Sequence, residues 1–186
     1  MKILTGELRG RLIRLVPSEK MRPTSDIARK AICDAIQGLP EDKRVLDLFS
    51  GTGALGFEAL SGGAKEVVWV DAERSQAEAI EKTLSDLGLS ARGQVYCSDA
   101  MKAIETLGRR GQVFDLFFLD PPYHAGLGQK AVKLISEVGI FSEGAVLVLE
   151  THKTEDPAEV IGRFRTLRTK RHGDTKITYY RAAAAL

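Results

Sequence analysis

The sequence RVLDLFSGTGALG, from Arg44 to Gly56, combines a short apolar segment with three closely spaced glycines. The apolar segment predicts a buried strand, and Gly51, Gly53 and Gly56 follow at the point where a helix should begin. Glycines let the backbone turn sharply and approach a ligand, and a helix N-terminus offers free N–H groups to polar atoms. The stretch therefore predicts a cofactor site at the end of a strand. The alternative is a glycine turn that only packs a helix against that strand.

Asp47 indicates which cofactor this loop suits. The glycine spacing matches the dinucleotide fingerprint, but a lone match of that kind is weak evidence. A carboxylate at the strand end is unfavourable for a pyrophosphate and favourable for a cation. S-adenosylmethionine carries a sulfonium and an ammonium group. The acidic loop therefore favours S-adenosylmethionine over a nicotinamide dinucleotide.

The length and composition are typical of one globular domain. The chain has 186 residues, of which 44% are hydrophobic and 28% are charged, so that it can bury a core without disulfides or metals. No apolar run approaches the length of a membrane span, and charged residues interrupt the N-terminus where a signal peptide would be apolar. Cys33 and Cys97 have no CxxC spacing, which makes a disulfide framework or a zinc site an unfavourable interpretation. We expect a cytoplasmic protein with no metal and no membrane contact.

The net charge of +2 conceals a separation of charge along the chain. Residues 1–30 hold eight Lys or Arg against three acids, and residues 163–181 hold seven against one. The stretch between them holds twelve basic and twenty-one acidic residues. Basic ends on an acidic middle favour contact between one face and a polyanion such as nucleic acid. The alternative is two solvated charged flanks.

The N-terminal residues are predicted to form a basic hairpin. Its strands would be Lys2 to Thr5 and Arg11 to Val16. We call Arg9, Arg11 and Arg14 the N-terminal arginines, because all three would lie on this hairpin and face a polyanion.

The segment around Pro23 leads into the first predicted helix. Pro23 keeps the chain extended between Arg22 and Thr24, and apolar residues then recur at helical spacing from Ile27 to Ile36. The segment can be interpreted equally as a helix entry or as a ligand contact.

Two further aspartates follow predicted strands. Asp71 comes after EVVWV, twenty residues beyond Gly51, where a doubly wound sheet presents a carboxylate to the ribose of a bound nucleoside. Asp99 follows the third predicted strand, where it could accept from an adenine amino group. For each aspartate the alternative is a cap on the helix that follows.

The motif Asp120-Pro121-Pro122-Tyr123 is the most specific one in the chain, and it follows the apolar strand FDLFFL directly. The two prolines fix the backbone and remove N–H donors, which leaves carbonyls and the Asp120 carboxylate as acceptors. Tyr123 supplies a flat face. An exocyclic amino group on a nucleobase needs stacking together with two acceptors for its protons, so that the motif predicts methylation of a base amine. The alternative is a rigid strand exit with a surface tyrosine.

The C-terminal third continues the alternation of helices and strands. A helix is predicted around Gln129 to Val138, a strand at Ala145 to Leu149 and a last helix at Pro157 to Phe164. Thr166 to His172 and Thr175 to Tyr180 flank a Gly-Asp turn and predict a hairpin. The whole pattern predicts a Rossmann-like α/β fold whose mostly parallel sheet ends in an antiparallel strand.

Together these residues resemble a known family. The segments GELRGR, RPTSD, LDLFSGTGALGFEALSGGA, DPPY and GDTKITYYR are similar to those of the RsmD-type methyltransferases, which methylate the N2 amine of one guanine in 16S ribosomal RNA. The resemblance spans nearly the whole chain. It implies a seven-stranded class I methyltransferase fold, with an RNA-facing extension at residues 1–40, a catalytic core at 41–181 and a tail at 182–186.

The resemblance also implies roles for residues. It places S-adenosylmethionine on the loop from Asp47 to Gly53, which includes Phe49 and Gly51, and on Asp71, Asp99 and Thr24. It places the target base at Asp120, Pro121, Pro122 and Tyr123, and the RNA on Arg9, Arg11, Arg14 and Arg22. The segment from Arg22 to Thr24 would close over the cofactor or the substrate. The chain departs from the family at three positions: Lys30 and Asp71 stand where Glu is common, and Thr83 stands where Asn is usual.

Three other function classes are alternatives to ribosomal RNA methylation. The same motif could methylate the N6 amine of a DNA adenine, since it reads an amino group rather than one base. A dehydrogenase is disfavoured by Asp47 and by DPPY, and a non-catalytic RNA-binding factor would need neither. The chain shows no separate target-recognition domain, which favours a structured RNA. The expected partner is ribosomal RNA within the small subunit or its assembly intermediate, bound by a monomer.

Overall fold

The computed structural model describes residues 1–16, 26–38 and 40–183, which contain one eight-stranded sheet in the order 3-2-1-4-5-8-7-6. The strands are β1 (Arg44–Leu48), β2 (Glu66–Asp71), β3 (Gly93–Cys97), β4 (Phe114–Leu119), β5 (Phe141–His152), β6 (Val160–Ile161), β7 (Phe164–His172) and β8 (Thr175–Ala182). The helices are α1 (Asp26–Ala35), α2 (Ala54–Ser61), α3 (Arg74–Leu87), α4 (Ala100–Arg109) and α5 (Leu127–Val138). None of these five helices is long and apolar enough to cross a membrane.

The sheet has a parallel half and an antiparallel end. β1 to β5 pair in parallel, β8 runs antiparallel to β5, and β7 and β6 continue the antiparallel pairing. The central strands β1 and β4 are almost wholly buried because helices cover both of their faces. The predicted Rossmann-like class is confirmed, and the carboxyl ends of the parallel strands share one edge of the sheet.

The two faces of the sheet carry different helices. Side chains from α1, α2 and α3 share one apolar cluster with Val45, Trp69 and Val148, and we call this side of the sheet the α1 face. Side chains from α4 and α5 share a second cluster with Leu46 and Leu147 on the opposite face. Neighbouring strand residues alternate between the clusters, as the two-residue period of a strand requires.

The packing of Trp69 explains why the third glycine of the motif, Gly56, cannot be a larger residue. Its ring is buried, and its Nε1 donates to the Gly53 carbonyl at 3.0 Å. A Cβ on Gly56 would lie 2.2 Å from that Nε1 atom, a distance that close packing does not allow. Gly56 is therefore a packing glycine, which holds α2 against β2, and Trp69 is a core residue.

The predicted helix from Pro157 to Phe164 is wrong. Val160 and Ile161 form the short edge strand β6, which pairs with the start of β7 through a turn at Gly162. Gly162 has φ of 57°, a left-handed conformation that suits a turn and not a helix interior. This strand makes eight strands rather than the seven that the family resemblance implied.

The predicted N-terminal hairpin is also incomplete. Its two segments meet in a single isolated bridge between Lys2 and Leu12, so that neither segment forms a regular strand. The amides of Leu4 and Thr5 donate instead to the carboxylate of Glu58, at 2.8 and 3.1 Å. The amides of Leu4 and Thr5 thus dock the segment on α2.

Glu58 belongs to a buried ion pair beneath the N-terminal segment. Its Oε1 lies 3.4 Å from Nη1 of Arg29 in α1, and the two side chains are 2% and 1% exposed. Arg29 also donates to the Lys2 carbonyl at 3.0 Å, and the Thr5 hydroxyl donates to Glu58 at 2.9 Å. Residues 1–16 are therefore joined to α1 and α2 through buried polar groups.

Candidate active site

Four carboxylates gather at the C-terminal edge of the parallel strands. Asp47 lies near the end of β1, Asp71 ends β2, Asp120 follows β4 and Glu150 lies near the end of β5. The edge is where open α/β sheets bind ligands. Beside it lies a cleft lined by Met1, Asp47, Phe49, Ser50, Thr52, Ala54, Leu55 and Asp120.

Asp47 is 3% exposed and lies at the base of this cleft. Its Oδ2 accepts from the Gly56 amide at 2.9 Å and so satisfies one free N–H in the first turn of α2. Burial raises the pKa of Asp47 well above its usual range, and the nearby charges of Asp120 and Asp71 raise it further. A cation bound here would lower the free energy of the ionised carboxylate, whereas an anion would raise it.

The glycine loop is held in a fixed conformation. Phe49, Gly51 and Gly53 all have positive φ, at 62°, 51° and 72°. Such a conformation costs a phenylalanine on the order of 1 kcal/mol or more and is found most often at functional sites. Ser50 stabilises the turn, since its amide donates to the Val70 carbonyl at 3.0 Å and its hydroxyl accepts from the Val70 amide at 2.9 Å.

Asp71 connects this loop to the second strand. Its two oxygens accept from the Gly51 amide at 2.7 Å and from the Glu73 amide at 2.8 Å. Glu73 is the N-cap residue of α3, so that Asp71 supports the start of that helix without being its cap. Burial raises the pKa of Asp71. Each carboxylate oxygen can accept more than one hydrogen bond, which leaves acceptor capacity for ribose hydroxyls.

Asp99 is the N-cap of α4, which was one of its two predicted roles. Its Oδ1 accepts from the amides of Met101 and Lys102 at 3.0 and 3.1 Å. Oδ2 has no hydrogen bond among the described residues, and the side chain is exposed. Capping through one oxygen is therefore compatible with the predicted contact between the other oxygen and an adenine amino group.

The DPPY motif lies where the sequence predicted, directly after β4. Asp120 is half-buried, Pro121 is buried and Pro122 is exposed. The Tyr123 hydroxyl donates to Oε1 of Glu150 at 3.2 Å and lies 3.0 Å from the Thr175 hydroxyl. Tyr123 is thus a half-buried ring anchored at its far end, and not a loose surface tyrosine.

Glu150 is the site residue that sequence reasoning missed. It is 3% exposed. The hydroxyls of Tyr123 and Thr175 both donate to its Oε1, whereas Oε2 has no hydrogen-bond partner among the described residues. Burial, followed by the charge of Asp120, raises the pKa of Glu150 to about 8. The available signal was an acid directly after the predicted strand from Ala145 to Leu149, the same pattern that singled out Asp120.

The predicted RNA contacts have different surroundings. Arg9 and Arg11 are exposed, and their side chains form no ion pair within the described ranges. Arg14 forms an exposed ion pair with Asp86 of α3 at 2.7 Å. Arg22 and Thr24 lie outside the described residues.

Two departures from the family pattern lie away from the cleft. Lys30 forms an exposed ion pair with Asp34 one turn along α1, at 3.0 Å. Thr83 is buried in α3, and its hydroxyl accepts from the Arg14 amide at 3.2 Å. Thr83 therefore helps to dock the N-terminal segment rather than to line the site.

Comparison with known proteins identifies the family. The model of the family described as Conserved hypothetical protein 95 matches residues 1–181. The chain belongs to this family. Among its relatives, the ribosomal RNA small subunit methyltransferase D of Haemophilus influenzae is 31% identical over 153 residues, which cover 82% of this chain and 79% of the relative. The predicted family resemblance is confirmed.

Solved structures of methyltransferases share the fold of this family member. The Escherichia coli protein yhhF, described as a candidate methyltransferase, is 26% identical with a TM-score of 0.87, over 100% of this chain and 99% of that one. SMU.776, another candidate methyltransferase, was solved in complex with SAH. It is 18% identical with a TM-score of 0.65, and the match covers 82% of this chain and 48% of that one. At that identity the likeness shows the fold alone.

Proposed function

We propose that this family member transfers a methyl group from S-adenosylmethionine to the exocyclic N2 amine of a guanine in small-subunit ribosomal RNA. The observation that carries the proposal is the position of Asp120-Pro121-Pro122-Tyr123, which adjoins a cleft with a buried carboxylate at its base. The name of the Haemophilus influenzae relative supports ribosomal RNA of the small subunit as the substrate.

The residues of the cleft suit S-adenosylmethionine. Its sulfonium and ammonium would lie near Asp47 and Asp120, where the charge of Asp120 adds to burial in raising the pKa of Asp47. Asp71 would accept from the ribose hydroxyls, and Asp99 from the adenine amino group. A pyrophosphate in the same place would add negative charge to a region whose carboxylates already have raised pKa values. When bound, the cofactor supplies an activated methyl group.

The DPPY residues would hold and activate the amine. Tyr123 stacks on the base while its hydroxyl is fixed by Glu150 and Thr175. Asp120 and the Pro121 carbonyl accept the two N–H protons of the amine. These acceptors direct the nitrogen lone pair away from the ring and stabilise the positive charge that develops on nitrogen as the methyl group arrives. The methylated amine would then transfer one proton to the Asp120 carboxylate, which returns the nitrogen to its neutral form.

The N-terminal arginines would contact the phosphates of the RNA. The exposure of Arg9 and Arg11 supports this role. Arg14 forms an ion pair with Asp86, so that it must break this pair to bind a phosphate. Each phosphate contact would release condensed counterions and make RNA binding sensitive to salt. With a ribosomal substrate, the reaction would take place in the cytoplasm.

Labelled S-adenosylmethionine tests the proposal directly. The protein is incubated with small subunits, large subunits, free ribosomal RNA and DNA, and the labelled nucleotide is mapped. Label on the N2 of a small-subunit guanine is expected. Label on the N6 of a DNA adenine would establish the alternative methyltransferase, and label on neither nucleic acid would overturn the proposal.

The variant Asp120→Asn tests the role of the acceptor. Asn preserves the volume but turns a donor toward the amine, so that the single-turnover rate should fall by roughly a hundredfold or more while the affinity for the cofactor is kept. Asp34→Asn makes the same chemical change at an exposed position and serves as the control. A loss of less than about tenfold at saturating RNA would show that Asp120 is not the acceptor.

A further inference from the structure

The hairpin of β7 and β8 carries a second basic surface on the α1 face. Residues 164–182 contain six Lys or Arg and one acid. Ile177 and Tyr179 belong to the core cluster of the α1 face, and residues directly opposite one another on paired strands share a face. The register therefore places Arg165, Arg168, Lys170 and Arg181 on that face, and all four are exposed.

Arg165 and Arg181 form an unusual pair within this surface. They lie directly opposite one another on β7 and β8, an arrangement of like charges that destabilises a sheet. Neither side chain forms a salt bridge or a hydrogen bond among the described residues. By contrast, Lys176 lies opposite Arg171 and has Asp156 within 2.5 Å. The pair on the α1 face is therefore left with no counter-ion from the described part of the chain.

Arg168 differs from its neighbours because it has a structural task. Its guanidinium lies 4.5 Å above the Tyr179 ring, and it donates at 3.0 Å to the carbonyl of Ala35, the last residue of α1. A cation at a helix C-terminus stabilises the helix. Arg168 thus secures α1 to the sheet, while Arg165, Lys170 and Arg181 remain available to a ligand.

The register connects this surface to the candidate active site. Lys170 lies opposite Ile177, and Ile177 lies opposite Glu150, which bonds to Tyr123. The three paired residues share one row and one face, so that Lys170 is about 10 Å from Glu150 across two strand spacings. β7 runs parallel to β5. Its basic residues therefore extend from Lys170 to Arg165, over about 15 Å, away from the edge of the sheet that holds the candidate active site.

We propose that Arg165, Lys170 and Arg181 bind the sugar–phosphate backbone of the RNA next to the target nucleotide. This proposal deepens the proposed function and rests on it. Charge complementarity favours a nucleic-acid backbone, because three exposed cations on one face of the β7–β8 hairpin, two on β7 and one on β8, match a row of phosphates. The N-terminal segment docks on α2 and α3 of the same face. The RNA would therefore contact the α1 face in two places, at the N-terminal segment and at the β7–β8 hairpin.

The test is a triple variant, Arg165→Ala/Lys170→Ala/Arg181→Ala. The affinity for small-subunit ribosomal RNA is measured at several salt concentrations. Losing three phosphate contacts should flatten the slope of log affinity against log salt by about two to three. KM for RNA should rise several-fold, while kcat at saturating RNA and the affinity for S-adenosylmethionine should stay close to the wild-type values.

A matched variant controls for net charge. Arg109→Ala/Lys130→Ala/Lys133→Ala removes three exposed cations from α4 and α5 on the opposite face. Its salt slope should remain near that of the wild type. Equal slopes for the two triple variants would overturn the proposal and leave the proposed function intact, provided that the wild-type protein methylates RNA. A wild-type protein that neither binds nor methylates RNA would overturn both.

Folding is checked separately from binding. Both triple variants should melt within a few degrees of the wild type, since exposed substitutions away from special contacts change stability little. Arg168→Ala should lower the melting temperature further, because it removes the contacts to Tyr179 and Ala35. If the triple variant from β7 and β8 melts much earlier than the wild type, the three side chains have a structural role and the proposal fails.

Discussion

Replacing Glu58 with glutamine should release the N-terminal segment from the rest of the fold. Glu58→Gln preserves the side-chain volume but removes the charge and one acceptor oxygen. In the native structure Oε1 accepts from Leu4, and Oε2 accepts from the Thr5 amide and hydroxyl. Whichever way the new amide is oriented, its NH2 group faces a backbone N–H that it cannot satisfy. The negative charge facing the buried Arg29 is lost as well.

The size of the effect follows from these contacts. Removing one member of a buried ion pair costs about 3 to 5 kcal/mol, and one unsatisfied buried amide costs about 1 to 3 kcal/mol. The segment can limit this cost by undocking, because its amides then bind water. We therefore expect a loss of about 3 kcal/mol in the free energy of unfolding, with local release of residues 1–16. Met1 lines the cleft proposed to hold S-adenosylmethionine, so that the affinity for it should fall too.

Urea denaturation and amide hydrogen exchange measure the two effects together. The variant should lose stability, and the amides of Leu4 and Thr5 should exchange far faster. The double variant Arg29→Met/Glu58→Met removes both charges, so that no unpaired charge is left in the core. It therefore distinguishes the effect of the broken ion pair from the effect of the lost hydrogen bonds to the amides. It should recover part of the stability without restoring protection at Leu4 and Thr5. A loss below about 1 kcal/mol in Glu58→Gln, with both amides still protected, would refute the reasoning.

Two further predictions concern the edge of the sheet. Gly56→Ala places a Cβ 2.2 Å from Trp69 Nε1, so it should lower the free energy of unfolding by about 1 to 3 kcal/mol or more and weaken cofactor binding. Gly62→Ala is the control, because its Cβ would meet no atom closer than 3.4 Å; equal losses in the two variants would contradict the packing argument. The folded protein should keep the proton on Glu150 up to a pKa of about 8, whereas the unfolded chain releases it near pH 4.5, so stability should fall as pH rises through this window. Urea unfolding of Glu150→Gln at pH 5 and pH 8 should show a weaker decline than the wild type, and an identical decline would show that Glu150 does not cause it.

Local patterns predicted the parallel half of the fold well. The central strands β1 and β4 are each followed within three residues by a glycine, an acid or a proline, and the turn chemistry follows directly from residues such as Gly53 and Pro121. The segment from Pro157 to Phe164 was different, since its apolar spacing suits a helix as well as an edge strand. Pairing with β7 and the left-handed Gly162 decide between the two. Neither is visible in the local sequence.

The same distinction applies to the candidate site. Asp47, Asp71 and Asp120 could be placed together because the carboxyl ends of parallel strands meet at one edge. Glu150 shares the pattern, but its surroundings depend on Thr175, which the antiparallel strand β8 brings from 25 residues away. Glu58 was missed for a similar reason. Its partners come from α1 and the N-terminal segment, and only the tertiary structure brings them together.

The arrangement of charge explains how a chain of net charge +2 can serve a cationic cofactor and a polyanion at once. Asp47 is buried at the base of the cleft, where the low local dielectric makes its carboxylate act strongly on a cation bound there. The cations Arg165 and Arg181 are exposed on the α1 face, farther along the sheet from the site edge than Lys170. Screening by salt limits exposed charges to a range of about 8 to 10 Å. Each charged region can therefore attract its own ligand with little repulsion from the other.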